Sequence, residues 1–205
     1  MDVQLRFVNR SENGHGTEVL LFQKNVIPDM GELAIAWKVI RYCGRDCWHP
    51  FVYQTDFEVA CSDDYGNYSP RLNAENGQRF AVTPTPSGRR LAEAGTSASI
   101  QEIQVVNGLS RGAINVNLFK NGRLMACKTS VAPEQKAVFQ FKPTLWIGVV
   151  SQVVQGQALS SAVINSVNTE ISLLGIASAD IVMTGGGSGP DAHAYAFTLD
   201  KVVTA

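Results

Sequence analysis

Cys43, Cys47 and His49 lie within seven residues of one another and are the most closely spaced thiol and imidazole side chains in this sequence. Thiolate and imidazole groups bind zinc, but a structural zinc site normally has four such ligands, often in two clusters. A fourth ligand would have to come from elsewhere in the chain: His15, His193 or Cys61. A disulfide between Cys43 and Cys47 is an alternative if the protein is exported. The simplest interpretation is a loop tip with one half-buried thiol.

The loop from Ser62 to Ser69 is a second candidate because it contains Asp63, Asp64 and Asn67. Calcium takes oxygen ligands of this kind, but the loop lacks the spacing and the bidentate glutamate of an EF-hand. A hairpin turn explains the same residues, since Asp, Asn and Gly favour the backbone angles of turns. We therefore interpret this loop as a turn and predict no metal there.

The glycine-rich run from Gly185 to Gly189 is a third candidate, because exposed backbone amides can surround a phosphate. A P-loop would also need a lysine followed by serine or threonine, and then a helix. Pro190 and Asp191 follow instead, and then an alternating pattern from Tyr195 to Leu199 that predicts a strand. We interpret the run as a mobile hairpin connection.

Catalytic signatures are missing from the sequence. The histidines at positions 15, 49 and 193 lie in no recognised pattern for acid–base or nucleophilic catalysis. We therefore predict that the protein is not an enzyme, and we assign no catalytic, cofactor-binding or metal-binding residues. An alternative hypothesis is an enzyme or small-ligand binder that uses Trp48, His49 and the acidic turn at Asp63 and Asp64.

Composition narrows the classes of partner and the cellular location. Seventeen basic and eighteen acidic residues give a net charge of −1, which provides no electrostatic footprint for nucleic acid. The N-terminus lacks the pattern of a classical signal peptide, and polar residues interrupt the one long apolar stretch, from Leu145 to Val167, too often for a membrane-spanning helix. We expect a cytoplasmic or non-classically exported protein.

The longest uncharged segment runs from Pro143 to Thr169, and no lysine or arginine follows it before Lys201. Soluble surfaces normally carry scattered charge, so such a segment is buried, faces a partner or faces lipid. Mixed Ser, Gln and Val also occur in the inserting hairpins of β-pore formers. The irregular alternation favours a core or a subunit interface, with Trp146 to Thr184 as the contact surface.

Period-two alternation predicts strands from one end of the chain to the other. The strongest pattern runs from Phe51 to Cys61, and Asn121-Gly122 predicts a hairpin turn between strands within 115–126. Helical patterns are few. We predict an all-β, antiparallel β-sandwich with little helix.

We expect one β-rich domain over residues 1–205, with two halves, 1–83 and 99–205, as an alternative subdivision. A Pro-, Gly- and Arg-containing stretch, 84–98, would then link them. Apolar strands ending in asparagine recur, because 4–9 and 20–25 are similar to 102–107 and 116–121. Such recurrence is typical of two hairpins that open equivalent sheets, although short strands of this kind also arise by chance.

Three segments, 21–25, 33–38 and 62–67, resemble bacterial proteins related to the rhizosphere-expressed protein RhiA. The resemblance covers mainly the first seventy residues and its motifs are structural. It implies a bacterial, host- or environment-associated β protein and brings no catalytic residues. Our hypothesis is a non-enzymatic protein that acts by binding, with a lipid or a glycan as ligand, or by homo-oligomeric assembly. The alternative hypothesis is a membrane-active protein that inserts the uncharged segment 143–169.

Overall fold

The computed structural model describes residues 2–12, 17–27 and 31–205, and most of these residues lie in β-strands. The strands are β1 (Val3–Asn9), β2 (Glu18–Phe22), β3 (Glu32–Ala34), β4 (Lys38–Ile40), β5 (Trp48–Tyr53), β6 (Phe57–Ser62), β7 (Leu72–Ala74), β8 (Gln78–Thr85), β9 (Gly88–Thr96), β10 (Ile103–Asn107), β11 (Ile114–Lys120), β12 (Arg123–Val131), β13 (Lys136–Phe139), β14 (Thr144–Val150), β15 (Thr169–Ser172), β16 (Ile176–Gly186) and β17 (His193–Thr204). One short helix, α1 (Ser161–Ser166), and a single 3-10 turn (Gly189–Asp191) complete the elements of the described residues. The prediction of an all-β fold with little helix is confirmed.

The chain forms two compact units. Unit 1 comprises residues 1–23, 35–55 and 143–205, and unit 2 comprises residues 24–34 and 56–142. Unit 1 contains two four-stranded sheets, with the orders β17-β16-β1-β5 and β15-β14-β2-β4. Unit 2 contains a four-stranded sheet, β13-β10-β8-β9, and a five-stranded sheet, β3-β12-β11-β6-β7. Each unit therefore has the two-sheet arrangement of a sandwich.

The two units share one arrangement of paired strands, apart from the additional strand β3 of unit 2. In unit 1, β1 lies between the parallel strand β16 and the antiparallel strand β5. In unit 2, β10 lies in the same way between parallel β8 and antiparallel β13. The second sheets match as well, because β15-β14-β2-β4 corresponds to β7-β6-β11-β12. The recurrence of β1 and β2 as β10 and β11 therefore reflects equivalent positions in two similar units.

The segment 84–98 does not link two halves, so that prediction is wrong. Residues 78–96 form the antiparallel hairpin β8-β9 inside unit 2. Gly88, with a φ of +142°, follows the turn of this hairpin, and Pro84 lies at the end of a strand beside that turn. Proline and glycine therefore mark a turn here. Each unit combines strands from both halves of the sequence, which the expected bounds 1–83 and 99–205 do not capture.

Two local predictions have different outcomes. The hairpin at Asn121-Gly122 is confirmed, because these residues connect β11 and β12 with φ angles of 52° and 68°. The pattern from Phe51 to Cys61 is not one strand. It divides into β5 of unit 1 and β6 of unit 2, with exposed Thr55 and Asp56 between them.

The uncharged segment contributes to the core of unit 1. Its strand β14 lies between β15 and β2, and its side chains at Leu145 and Ile147 are fully buried. The polar residues of the segment lie mainly in the stretch 151–158, where all residues but Val153 are exposed, and on α1, which has no buried residue. Within the described part of the chain, no helix has the length and apolar character needed to cross a membrane.

Candidate functional site

One side chain from each strand of the sheet β17-β16-β1-β5 contributes to a row on its outer face. The row consists of Trp48 on β5, Arg6 on β1, Asp180 on β16 and Lys201 on β17. Arg6 is directly opposite Asp180 in the parallel pairing of β1 with β16. Trp48 is opposite Val8, which lies two residues from Arg6 and so shares its face. We call these four residues the polar row.

An ion pair forms the centre of the polar row. The Nε of Arg6 donates to Oδ1 of Asp180 at 2.8 Å, and its Nη2 donates to Oδ2 at 2.5 Å. The Nζ of Lys201 is 3.7 Å from the same Oδ2. The hydrogen bonds from Arg6, together with the charges of Arg6 and Lys201, hold the pKa of Asp180 below its ordinary value. Bidentate pairing fixes both side chains in one orientation.

Trp48 is a large aromatic residue left open to solvent, with 59% of its surface exposed. The guanidinium carbon of Arg6 is 5.8 Å from the centre of the indole ring, within the range of a cation–π contact. Asp180 therefore fixes the position of the Arg6 guanidinium, and that guanidinium contacts the indole ring of Trp48.

A shallow groove of about 570 Å³ follows the sheet beside this ion pair. Its walls include Arg6, Asp180 and Lys201 together with further residues from the same sheet: Gln4, Pro50, Val52 and Ser178. The groove thus combines apolar surface with fixed donors and acceptors. Trp48 is not among the residues that line this groove, but the centre of its ring lies 5.8 Å from the guanidinium of Arg6, which does line it. A flat ligand with several hydroxyl groups that reaches both would pack its C–H face on the indole and bond its hydroxyls to the charged groups.

The polar row does not present a side chain that is well placed for acid–base catalysis, as the positions of His49 and Asp180 show. His49 is opposite the fully buried Phe7, so it lies on the inner face of the sheet. Asp180 already accepts two hydrogen bonds from Arg6. The arrangement is suited to recognition.

Cys43 and Cys47 flank a turn in unit 1 in which the amide of Cys47 donates to the carbonyl of Gly44 at 3.1 Å. Both are free thiols, with Cys43 half-buried and Cys47 exposed. Burial, and then the neighbouring Cys47, raises the pKa of Cys43. Among the described residues, no three His, Cys, Asp or Glu side chains come together as metal ligands. His15 lies outside the described residues.

Asp63 organises the acidic loop of unit 2. Its carboxylate accepts the amides of Tyr65 and Asn67 at 3.0 Å and the side-chain amide of Asn67 at 3.0 Å. These bonds, first of all those from Asn67, lower the pKa of Asp63. The interpretation of this loop as a turn is confirmed, because the loop's own donors occupy the carboxylate.

The other candidate residues belong to different units. Trp48 and His49 belong to unit 1, whereas Asp63 and Asp64 belong to unit 2. The run 185–189 connects β16 with β17, as expected for a hairpin connection. Whether that connection is mobile stays a prediction.

Arg6, Asp180 and Lys201 were missed by reasoning from the sequence. Arg6 and Asp180 are 174 residues apart, and only the parallel pairing of β1 with β16 brings them together. One signal was present, because Gln4 and Arg6 place polar groups on one face of a strand whose other face is buried. No pattern in the sequence predicted that Trp48 would be exposed to solvent.

Comparisons with known proteins identify no relative of this chain. No protein-family model matches the sequence, and no curated protein or solved structure is significantly similar to it. The resemblance to RhiA-related proteins therefore stays a prediction.

Proposed function

We propose that this protein is a non-enzymatic binding protein and that the polar row of unit 1 binds a glycan. The observation that carries the proposal is the exposed indole of Trp48 beside the fixed ion pair of Arg6 and Asp180. An indole face packs against the C–H face of a sugar ring, while neighbouring charged groups bond to its hydroxyls.

Preorganisation supports this proposal. Asp180 and Arg6 hold each other before any ligand arrives, so little side-chain freedom is lost on binding. The strand partners of Trp48 fix its backbone, since β5 pairs with β1 along its whole length. An exposed aromatic residue on a rigid sheet is a favourable anchor because it buries a large area at low entropic cost.

A glycan array tests the proposal with the wild type, the variant Trp48→Ala and the matched control Tyr65→Ala. Tyr65 is also a highly exposed aromatic residue, with 93% of its surface exposed, but it belongs to unit 2. We expect a defined set of glycans to bind the wild type and the control, and Trp48→Ala to lose about tenfold or more in affinity, or about 1.4 kcal/mol. Equal binding by all three proteins, or no binding, would contradict the proposal.

We also propose homo-oligomeric assembly through unit 1, supported by exposed apolar side chains at one end of its sheet. Leu174 is 78% exposed and Val203 is 55% exposed. The amide of Ala205, just after β17, donates to the carbonyl of Gly175, the residue after Leu174. Leu174 therefore lies near the end of β17. Clustered exposed apolar residues are typical of contact surfaces.

Light scattering with and without liposomes tests assembly against membrane activity. Assembly would be supported if the wild type has the molar mass of a discrete oligomer both with and without liposomes, and if the variant Leu174→Ser is a monomer. Oligomers that form only on liposomes would instead support the membrane-active alternative. That alternative requires β14 to leave the centre of its sheet, where it is paired on both sides. A monomer under all conditions would contradict both.

A further inference from the structure

Unit 2 contains a cleft between its two sheets, separate from the polar row. Its apolar floor comes from Cys61 on β6, Val82 on β8 and Leu91 on β9. These three residues are at most 7% exposed, and the cleft above them measures about 240 Å³. We call it the unit 2 cleft. A small, apolar hollow of this kind suits a compact organic molecule.

Two side chains that line the unit 2 cleft are smaller than their equivalents in unit 1. Val82 pairs with Leu91, whereas the equivalent pair in unit 1 consists of Met183 and Phe197. Valine and leucine fill less volume than methionine and phenylalanine at the same place in the topology. The cleft is therefore consistent with reduced side-chain volume at two paired positions of the repeated fold.

Most polar groups at the rim are already occupied. The carboxylate of Asp63 accepts three N–H groups of its own loop. The hydroxyl of Ser69 accepts the amide of Cys61 at 3.0 Å and donates to the carbonyl of Pro70 at 3.0 Å. These bonds shape the rim and leave these groups little capacity to bind a ligand.

Among the described residues that line the cleft, Arg89 is the one cationic residue. Its charge reaches the floor and the rim, because it opposes the burial that raises the pKa of Cys61 and adds to the hydrogen bonds that lower the pKa of Asp63. A guanidinium presents a planar fork of N–H donors that matches a carboxylate. Tyr68, an exposed aromatic residue, lies on the same rim.

We propose that the unit 2 cleft binds a small apolar carboxylate, with its hydrocarbon body on the floor of Cys61, Val82 and Leu91 and its carboxylate on Arg89. A cationic ligand would be repelled by Arg89, and the carboxylate of Asp63, which also lines the cleft, already accepts three N–H groups of its own loop. A strongly polar ligand would leave its hydroxyls unpaired against the floor. The thiol of Cys61 takes no covalent part, because burial keeps it protonated near neutral pH.

Fluorine NMR with 4-fluorobenzoate tests this site on the full chain. The probe resonance broadens and shifts when it binds, and unlabelled benzoate should reverse the change. The variant Arg89→Gln should weaken binding by about fivefold or more, corresponding to loss of a charge-assisted hydrogen bond. The matched control is Arg90→Gln, which removes the same charge from the adjacent residue of β9, on the opposite face of the strand. We expect the control to bind within about twofold of the wild type.

Two further measurements separate the contributions of charge and shape. The neutral probe 4-fluorobenzamide should bind much more weakly than 4-fluorobenzoate, because it offers no charge to Arg89. The variant Leu91→Phe introduces the residue type found at the equivalent position of unit 1 and should abolish binding while circular dichroism and the unfolding midpoint confirm the fold. Equal affinities of the two Gln variants, equal affinities of the two probes, or no saturable broadening in the wild type would overturn the proposal. None of these results depends on the polar row of unit 1.

Discussion

Asn9 and Asn107 end equivalent strands of the two units with the same set of hydrogen bonds. The amide of Asn9 donates to Cys47 and its carbonyl accepts from Asp46, while Asn107 makes the same pair of bonds in unit 2. The partners of Asn107 are Gln135 and Glu134. Asp46 and Glu134 both have a φ of 64°, a backbone conformation that is uncommon for residues other than glycine.

The side chains of the two asparagines also act alike. The Oδ1 of Asn9 accepts the amide of Ser11, and that of Asn107 accepts the amide of Leu109. The Nδ2 of Asn9 donates to the carbonyl of Cys43 at 2.7 Å, and that of Asn107 donates to the carbonyl of Val131 at 2.9 Å. Both residues are fully buried. Each side-chain amide therefore holds a neighbouring segment of the chain to the end of its strand.

Replacing either asparagine should destabilise its unit strongly. We expect Asn9→Ala and Asn107→Ala each to lower the free energy of unfolding by about 3 kcal/mol, because each leaves buried backbone groups without partners. Chemical denaturation monitored by circular dichroism measures the change. The control is Asn73→Ala on an exposed position of β7, which should change the free energy by less than about 0.5 kcal/mol. Equal effects at buried and exposed sites would show that the shared bonds do not stabilise the units.

Gly148 on β14 should tolerate no larger side chain. A Cβ atom there would lie 2.9 Å from Cγ2 of Val167 and 3.0 Å from its Cγ1. Gly148→Ala should therefore cost about 1–3 kcal/mol of unfolding free energy. Differential scanning calorimetry of the variant measures the loss.

The double variant Gly148→Ala/Val167→Ala provides the control for this contact. Val167→Ala alone should destabilise by leaving a cavity, but it also makes room for the new methyl group. The double variant should therefore lose less than the sum of the single variants. Strict additivity would contradict the contact, and with it the placement of the uncharged segment in the core of unit 1.

Asp180 should make stability depend on acid pH. Hydrogen bonds from Arg6, and the charges of Arg6 and Lys201, place the pKa of its folded-state carboxyl below the ordinary value of 3.8. The ionised carboxylate therefore stabilises the folded protein above about pH 4, and this contribution disappears as the pH falls through the folded-state pKa. The difference in melting temperature between wild type and Asp180→Asn should be largest above about pH 5 and shrink below about pH 4. Asp64→Asn, on an exposed loop, serves as the control, and a difference that stays constant to about pH 2 would refute the prediction.

The four thiols should react at different rates with a disulfide reagent such as Ellman's reagent at about pH 8. Burial raises the pKa of Cys61 to about 12 and that of Cys127 to about 11, so both remain protonated. Cys47 is exposed and should react first, and half-buried Cys43 should react more slowly. Cys47→Ser should remove the fast phase. Rapid reaction of Cys61 or Cys127 in the folded protein would contradict their placement in the core.

Local features of this fold could be predicted from the sequence, because nearest neighbours determine them. Asn121-Gly122 predicts its hairpin from the positive φ angles that these residues adopt readily. Alternation likewise identifies β1 and β17. Absence of charge between Pro143 and Thr169 correctly indicates burial of β14, but it does not distinguish β14 from the equally uncharged stretch 151–158, which is exposed except at Val153.

Long-range pairing could not be predicted in the same way. Asp180 meets Arg6 only because β16 joins β1 across 174 residues of sequence, and no local pattern encodes that register. The break between β5 and β6 was missed because alternation continues through Gln54 although the chain passes from one unit to the other. The polar row was invisible for the same reason, since its four residues come from four separate strands.

Observation of the indole N–H signals by two-dimensional ¹⁵N NMR would test the binding proposal most directly. The chain has three tryptophans, of which Trp37 is 1% exposed and Trp48 is 59% exposed. Titration with a glycan selected by the array should shift the signal of Trp48 in a saturable way and leave that of Trp37 unchanged. The signal of Trp48 is assigned by its loss in Trp48→Phe. A glycan that binds saturably but leaves the Trp48 signal unchanged would contradict the assignment of the polar row as the binding site.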